Sequence, residues 1–121
     1  RQSMQRVNVV DASAIPDVFY ELLAAGQDLP GRGESQRSLA TAQGSFGRAR
    51  PLFDIRNEIA RIDCPTQFVW GTEDAFYAPD VGRPVAEKMP DAEFHELPGH
   101  GHTPWLEPGD EAAELVQGFL D

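Results

Sequence analysis

Apolar residues recur along this chain in two different rhythms. In the first half the rhythm is helical. Ile15, Val18, Phe19, Leu22 and Leu23 fall on one helical face, which predicts a helix over residues 15–25 with Gly26 as its stop. Pro30, Gly31 and Gly33 mark residues 27–33 as a loop, and residues 34–43 read as a second short helix closed by Gly44. Phe53, Ile55, Ile59 and Ile62 outline a third helix, over residues 52–60, and Val7-Asn8-Val9-Val10 is a short, isolated candidate strand. In the second half the rhythm changes. Pro65 opens the β-prone run Thr66-Gln67-Phe68-Val69-Trp70, ended by Gly71. A helix is expected over residues 81–89, its start delayed by Gly82 and Pro84. Residues 92–97 alternate as a strand and stop at Pro98-Gly99. Asp110 is a fair N-cap for a closing helix whose apolar face is Ala112, Ala113, Leu115, Val116, Phe119 and Leu120.

Helices followed by strand–helix–strand–helix argue for parallel pairing in an α/β sheet. Two strands alone make a poor open parallel sheet, because its faces need cover and its strands need partners. Further strands are therefore expected upstream of Arg1, and the chain, which does not begin with Met, is expected to be a fragment. Neither an internal repeat nor a low-complexity segment is present.

Charge narrows the partners. The formal net charge is −10, carried by residues 51–121, which hold fifteen acids and four bases, whereas residues 1–50 hold five acids and six bases. Such a field opposes nucleic acid and anionic membranes. No stretch approaches the roughly 20 apolar residues of a membrane helix, and no signal peptide is visible. Lys88 is the only lysine, which fits either a surface adapted to high salt or GC-rich coding that replaces Lys with Arg. The single cysteine, Cys64, cannot form an internal disulfide; a reducing, cytoplasmic setting is expected, with Cys64 as a small buried residue.

The candidate chemistry follows the two strands. In open parallel sheets, ligands bind outside the carboxyl ends of the strands. Residues 66–70 are followed by Gly71-Thr72-Glu73-Asp74, and residues 92–97 by Pro98-Gly99-His100-Gly101-His102. A carboxylate and an imidazole thus sit on loops at the same edge of adjacent strands. The acid could accept the ring N–H and fix the tautomer, while the histidine takes a proton from a nucleophile and returns it to a leaving group. Glu73 is the rival acid and His100 the rival base. His95, His100 and His102 with Glu96 or Asp74 imitate a metal cluster, but their spacing matches no metal motif and strand alternation separates His95 from the loop pair. No metal and no cofactor is expected.

These segments resemble a known family. Pro65-Thr66-Gln67-Phe68-Val69-Trp70-Gly71-Thr72-Glu73-Asp74 is similar to the penultimate strand and acid loop of α/β-hydrolases. Gly101-His102-Thr103-Pro104-Trp105-Leu106-Glu107-Pro108 is similar to their histidine loop, Met89-Pro90-Asp91-Ala92 to the turn into their last strand, and the helix ending in Phe119-Leu120 to their closing helix. The likeness covers about residues 58–121, and it is the two motifs in order that make it specific. It implies an α/β fold, the C-terminal part of an α/β-hydrolase core over residues 51–121, with residues 1–50 as a helical lid. It further implies Asp74 as the triad acid, His102 as the general base and Glu107 as a support of the histidine loop. Phe76, Tyr77 and Trp105 flank the two loops and are candidates for lining a pocket; the other aromatics, Phe19, Tyr20, Phe46, Phe53 and Trp70, are core by default. The implied activity is hydrolysis of a small, moderately apolar substrate, an ester first, without cofactor. Carbon–carbon hydrolysis, dehalogenation and perhydrolase chemistry share the same motifs. The sequence departs from the family in containing no Gly-x-Ser-x-Gly elbow; Gly44-Ser45-Phe46-Gly47 lacks its spacing and preceding strand. The nucleophile, whether Ser, Asp or Cys, and the oxyanion hole are expected elsewhere, and the chain alone is expected to be inactive. The other readings are a binding protein that keeps the fold without the chemistry, and an assembly fragment whose other half is another chain.

Overall fold

The computed structural model of the chain describes residues 8–45, 48–49, 54–55 and 57–121. Within them, one unit joins residues 8–15 to Ile59–Asp121, and the other is Pro16–Glu58.

The unit Pro16–Glu58 contains helices α1 (Asp17–Gln27) and α2 (Arg32–Gln43), then a short antiparallel pair, β1 (Gly44–Ser45) with β2 (Arg48–Ala49). Helix α1 starts after Pro16 and runs through Gly26, the expected stop, because the Asp28 N–H still closes onto Ala25 O (3.2 Å). Its apolar residues Val18, Leu22 and Leu23 are exposed. The stretch Gly44-Ser45 forms the first arm of the hairpin, not a strand-to-helix elbow. Of the helix expected over residues 52–60, Leu52, Phe53 and Arg56 lie outside the described residues, as do Phe46 and Val7, and residues 54–55 and 57–58 are not helical. Its described end is a single 3₁₀ turn, Ile59–Arg61, in the other unit.

In the larger unit, β3 (Thr66–Gly71) leads through α3 (Pro79–Ala86) to β4 (Ala92–Leu97), and α4 (Glu111–Leu120) closes the chain. The strands pair in parallel, in register from Thr66 opposite Ala92 to Gly71 opposite Leu97. Helix α3 starts earlier than expected. Pro79 sits in the first turn, where its missing N–H has no partner to lose, and Pro84 stands inside the helix, which ends at Ala86. Asp110 stands at the N-cap of α4 as expected, but its side chain makes no capping bond.

Strand alternation sorts the side chains onto two faces. Phe68, Trp70 and Phe94 share the α3 face, where Phe94 stacks on Phe68 (6.0 Å) and Trp70 (5.7 Å). Arg83 of α3 covers Phe94 (4.9 Å) and pairs with Glu96. Gln67 and Val69 face α4; Gln67 Nε2 donates to Leu115 O (3.1 Å). The buried apolar residues of this unit are Val9, Ala12, Ile15, Ile59, Ala86, Met89, Leu97 and Ala112, while residues 66–70 of β3 are only half-buried. Residues 8–10 form no strand. Val9 is nonetheless buried, so this segment packs as a strap.

Cys64 is exposed rather than buried. It precedes Pro65 and the strand, so the apolar run that follows does not cover it.

Gly82 of α3 lies against the Trp70 ring, and an added Cβ would come within 2.5 Å of Trp70 Cζ3. That ring cannot swing away cheaply, since its Nε1–H donates to Tyr77 O (2.8 Å) and its face stacks on Phe94. Gly82→Ala recovers up to about 1 kcal/mol of helix propensity against an overpacking cost of about 1–3 kcal/mol. The expected outcome is a net destabilisation of up to about 2 kcal/mol, read as a lower urea midpoint; a stabilised variant would show that the ring yields.

Candidate active site

In-register pairing ends β3 and β4 at the same level, so the loops after Gly71 and Leu97 leave the sheet side by side. Three hydrogen bonds then tie the loops together. Thr72 N–H donates to Leu97 O (3.0 Å), Gly99 N–H to Thr72 Oγ1 (2.9 Å), and Glu73 N–H to His100 O (2.9 Å). The approach is close enough that a Cβ on Gly71 would lie 2.2 Å from the carbonyl oxygens of both His100 and Gly101, a backbone clash that no rotamer relieves.

Across this junction His102 Nδ1 lies 2.9 Å from Asp74 Oδ2. The Asp74 side chain is 5% exposed and that of His102 is 40% exposed. A carboxylate can only accept, so the ring nitrogen facing it carries the proton, and Nε2 is left as the basic nitrogen. The other carboxylate oxygen, Oδ1, accepts from Phe76 N–H (2.7 Å) and Tyr77 N–H (3.1 Å). The Phe76 ring rests on the imidazole, centroids 4.5 Å apart.

Burial pushes the Asp74 carboxyl up. The hydrogen bond from His102, the amides of Tyr77 and Phe76, and the charge on the ring outweigh it and hold the carboxyl below its ordinary value. A carboxyl whose pKa is depressed by folding stabilises the fold fully above its unfolded value and loses that contribution as the pH falls through the folded value. Acid titration is therefore expected to weaken the fold through this dyad, and Asp74→Asn to flatten part of the acid limb of stability against pH. An acid limb identical in both proteins would show that the carboxyl is not so held.

Glu107 is buried. Its carboxylate accepts from Gly101 N–H (2.9 Å), from Asp11 N–H (2.9 Å) and from Val10 N–H. Asn8 O accepts both the N–H (2.8 Å) and the hydroxyl (3.0 Å) of Thr103. The strap of residues 8–11 and Glu107 thus hold the histidine loop on both sides of His102. Sequence reasoning missed Asn8, Thr103, Thr72 and the Trp70 indole. Nothing in local pattern marks them, since Asn8, Thr103 and Thr72 act through partners distant along the chain and the indole through a backbone carbonyl on the following loop.

The rival side chains take no part in the contact between Asp74 and His102. Glu73 is exposed, His100 Nδ1 is 3.0 Å from Pro98 O, and His95 Nε2 is 3.0 Å from Glu93 Oε2. Among the described residues no group of three His, Cys, Asp or Glu side chains converges as metal ligands would. Phe76 and Tyr77 are exposed beside the dyad, whereas Trp105, also exposed, borders an apolar cavity of about 250 Å³ lined by Val69, Ala112 and Val116. A larger groove, about 790 Å³, runs between β4 and α4, and neither Asp74 nor His102 lines it. No helix of the described residues is long and apolar enough to cross a membrane.

A family model described as "Alpha/beta hydrolase family" matches residues 4–115. The chain is 31% identical, over 87% of its length, to a pimeloyl-[acyl-carrier protein] methyl ester esterase from Chromobacterium violaceum. It is 31% identical, over 97% of its length, to a 2-hydroxy-6-oxononadienedioate/2-hydroxy-6-oxononatrienedioate hydrolase from Paraburkholderia xenovorans. It spans 39% of the length of each of these two relatives. Among solved structures, a thermophilic esterase from Thermogutta terrifontis superimposes with a TM-score of 0.53 at 25% identity, over 55% of this chain and 25% of that one.

Proposed function

Since the chain belongs to the alpha/beta hydrolase family, we propose that it contributes the acid and the base of a nucleophile–histidine–acid triad that hydrolyses a small, moderately apolar substrate at a carbonyl carbon. The observation that carries this reading is the 2.9 Å contact between His102 Nδ1 and the sheltered Asp74 carboxylate at the carboxyl ends of two parallel strands. In this reading Asp74 holds the ring with Nε2 outward and stabilises the imidazolium, and His102 removes the proton of the attacking nucleophile. The substrate carbonyl carbon gains a bond to the nucleophile, the negative oxygen rests on backbone N–H groups, and His102 returns the proton to the leaving group. Water, deprotonated by the same nitrogen, then releases the acyl group.

The nucleophile and oxyanion donors come from polypeptide outside these residues. That part of the reading rests on the missing elbow and on the relatives' greater length. Glu107 supports the histidine loop. The lid expected over residues 1–50 is narrowed to the separate unit Pro16–Glu58, because residues 8–15 belong to the larger unit; its exposed Val18, Leu22 and Leu23 support an apolar substrate. An ester is the first substrate class, in line with a relative named as a methyl ester esterase. The relatives named as hydrolases of hydroxy-oxo-dienedioates favour a second, carbon–carbon bond hydrolysis, which uses the same carbonyl attack.

The test is hydrolysis of short-chain nitrophenyl esters by the product of the intact reading frame, beside this 121-residue chain alone. The intact product is expected to turn over and the chain alone to match free imidazole. Turnover by the chain alone would place the nucleophile within it, and an inert intact product carrying Gly or Ala at the elbow would favour the binding-protein reading.

A further inference from the structure

The contact between Phe76 and His102 is not accounted for by core packing. Phe76 is 51% exposed, yet its ring lies 4.5 Å from the imidazole centroid, with the planes inclined by 60°. Its backbone is held by the same carboxylate that holds the histidine: Phe76 N–H donates to Asp74 Oδ1 (2.7 Å) and His102 Nδ1 meets Asp74 Oδ2 (2.9 Å). The next residue is held twice, as Tyr77 N–H donates to Asp74 Oδ1 (3.1 Å) and Tyr77 O accepts from Trp70 Nε1 (2.8 Å). The ring of Phe76 is therefore delivered to the imidazole by a loop whose backbone is anchored on both sides of the contact.

An imidazole that is 40% exposed and held through one nitrogen can still swing about its side-chain torsions, and each swing breaks the bond to Asp74. We propose that Phe76 is a positioning residue for His102: its flat ring blocks that swing and keeps Nδ1 on Asp74 and Nε2 toward the nucleophile. This rests on the reading of His102 as the general base. The charged group on the ring is Asp74; Glu73, on the same loop, is exposed, and His100, on the histidine loop, is turned to Pro98 O.

The tautomer of His102 reports the positioning. A ring seated on Asp74 carries its proton on Nδ1, whereas a free neutral imidazole has no such partner to select it. Long-range proton–nitrogen NMR of the product of the intact reading frame, above the histidine titration range, reads this ratio on non-exchangeable ring protons. The His102 ring protons are expected to be displaced by the Phe76 ring current, with the Nδ1–H form dominant. In Phe76→Ala and Phe76→Leu the Nδ1–H to Nε2–H ratio is expected to fall about two- to tenfold, the range of one aromatic pair contact. Phe76→Tyr is expected to restore it, and His95 and His100 to stay unchanged in all variants. A wild-type ratio in both Phe76→Ala and Phe76→Leu would overturn the proposal, and in Phe76→Leu alone would overturn the role of the flat ring. Ring protons of His102 unmoved between the unmutated protein and Phe76→Leu would overturn it as well. Asp74→Asn separates the two readings. If the unmutated protein shows no Nδ1–H preference for Asp74→Asn to abolish, the dyad itself fails; if it does and the Phe76 variants keep it, only this inference fails.

Discussion

Replacing His102 with alanine in the product of the intact reading frame is expected to lower kcat/KM on a nitrophenyl ester by about 10⁴-fold or more, the usual consequence of deleting a triad base. Nearly all of the loss should appear in kcat, because the proton transfer belongs to the transition state and not to substrate binding. Asp74→Asn is expected to cost nearly as much. The amide keeps the shape but can turn its NH2 toward the ring, which selects the wrong tautomer and puts the proton on the nitrogen that must be basic. The double variant should be little worse than either single one, since the two side chains act as one unit. His100→Ala is the control: its ring meets Pro98 O on the histidine loop, and activity should change little. A collapse in His100→Ala with activity kept in His102→Ala would reassign the base.

Glu107→Ala is expected to lower the stability of the chain by about 3–5 kcal/mol, measured from the urea midpoint, because three backbone N–H groups lose their acceptor at about 1–3 kcal/mol each. The sum stays below three full penalties because the bonds to Val10 and Asp11 are part-buried and water can reach them, while the Gly101 bond is buried. Glu107→Gln should fall between. It keeps one acceptor, but its NH2 must face an amide donor, and the charge-assisted strength is lost. The consequence reaches the dyad, since Gly101 precedes His102 and the freed strap no longer holds the loop. A loss below about 1 kcal/mol would mean that the carboxylate is dispensable to both.

Some of this was legible before any coordinates. The runs at residues 66–70 and 92–97 are apolar or alternating and are bounded by Pro65, Gly71 and Pro98-Gly99, so each announces a strand locally. Parallel pairing followed from the helix between them. The candidate dyad was legible for the same reason, because an acid and a histidine that follow neighbouring parallel strands must share an edge. The start of α3 was misread, since Gly82 and Pro84 were weighed as barriers while Pro79, preset for a first helical turn, was passed over. Cys64 was misread because its apolar neighbours begin after Pro65 and run away from it.

What the sequence by itself determined is therefore local and periodic: which segments become strands and helices, and which chemical groups follow each strand end. Only the tertiary structure decided which groups meet. The in-register pairing that levels Gly71 with Leu97, the strap at residues 8–11 clasped by Glu107 and Thr103, and the Phe76 ring on His102 join residues far apart along the chain. Their physical reason is packing and hydrogen-bond satisfaction in three dimensions, and neither leaves a periodic trace in the order of residues.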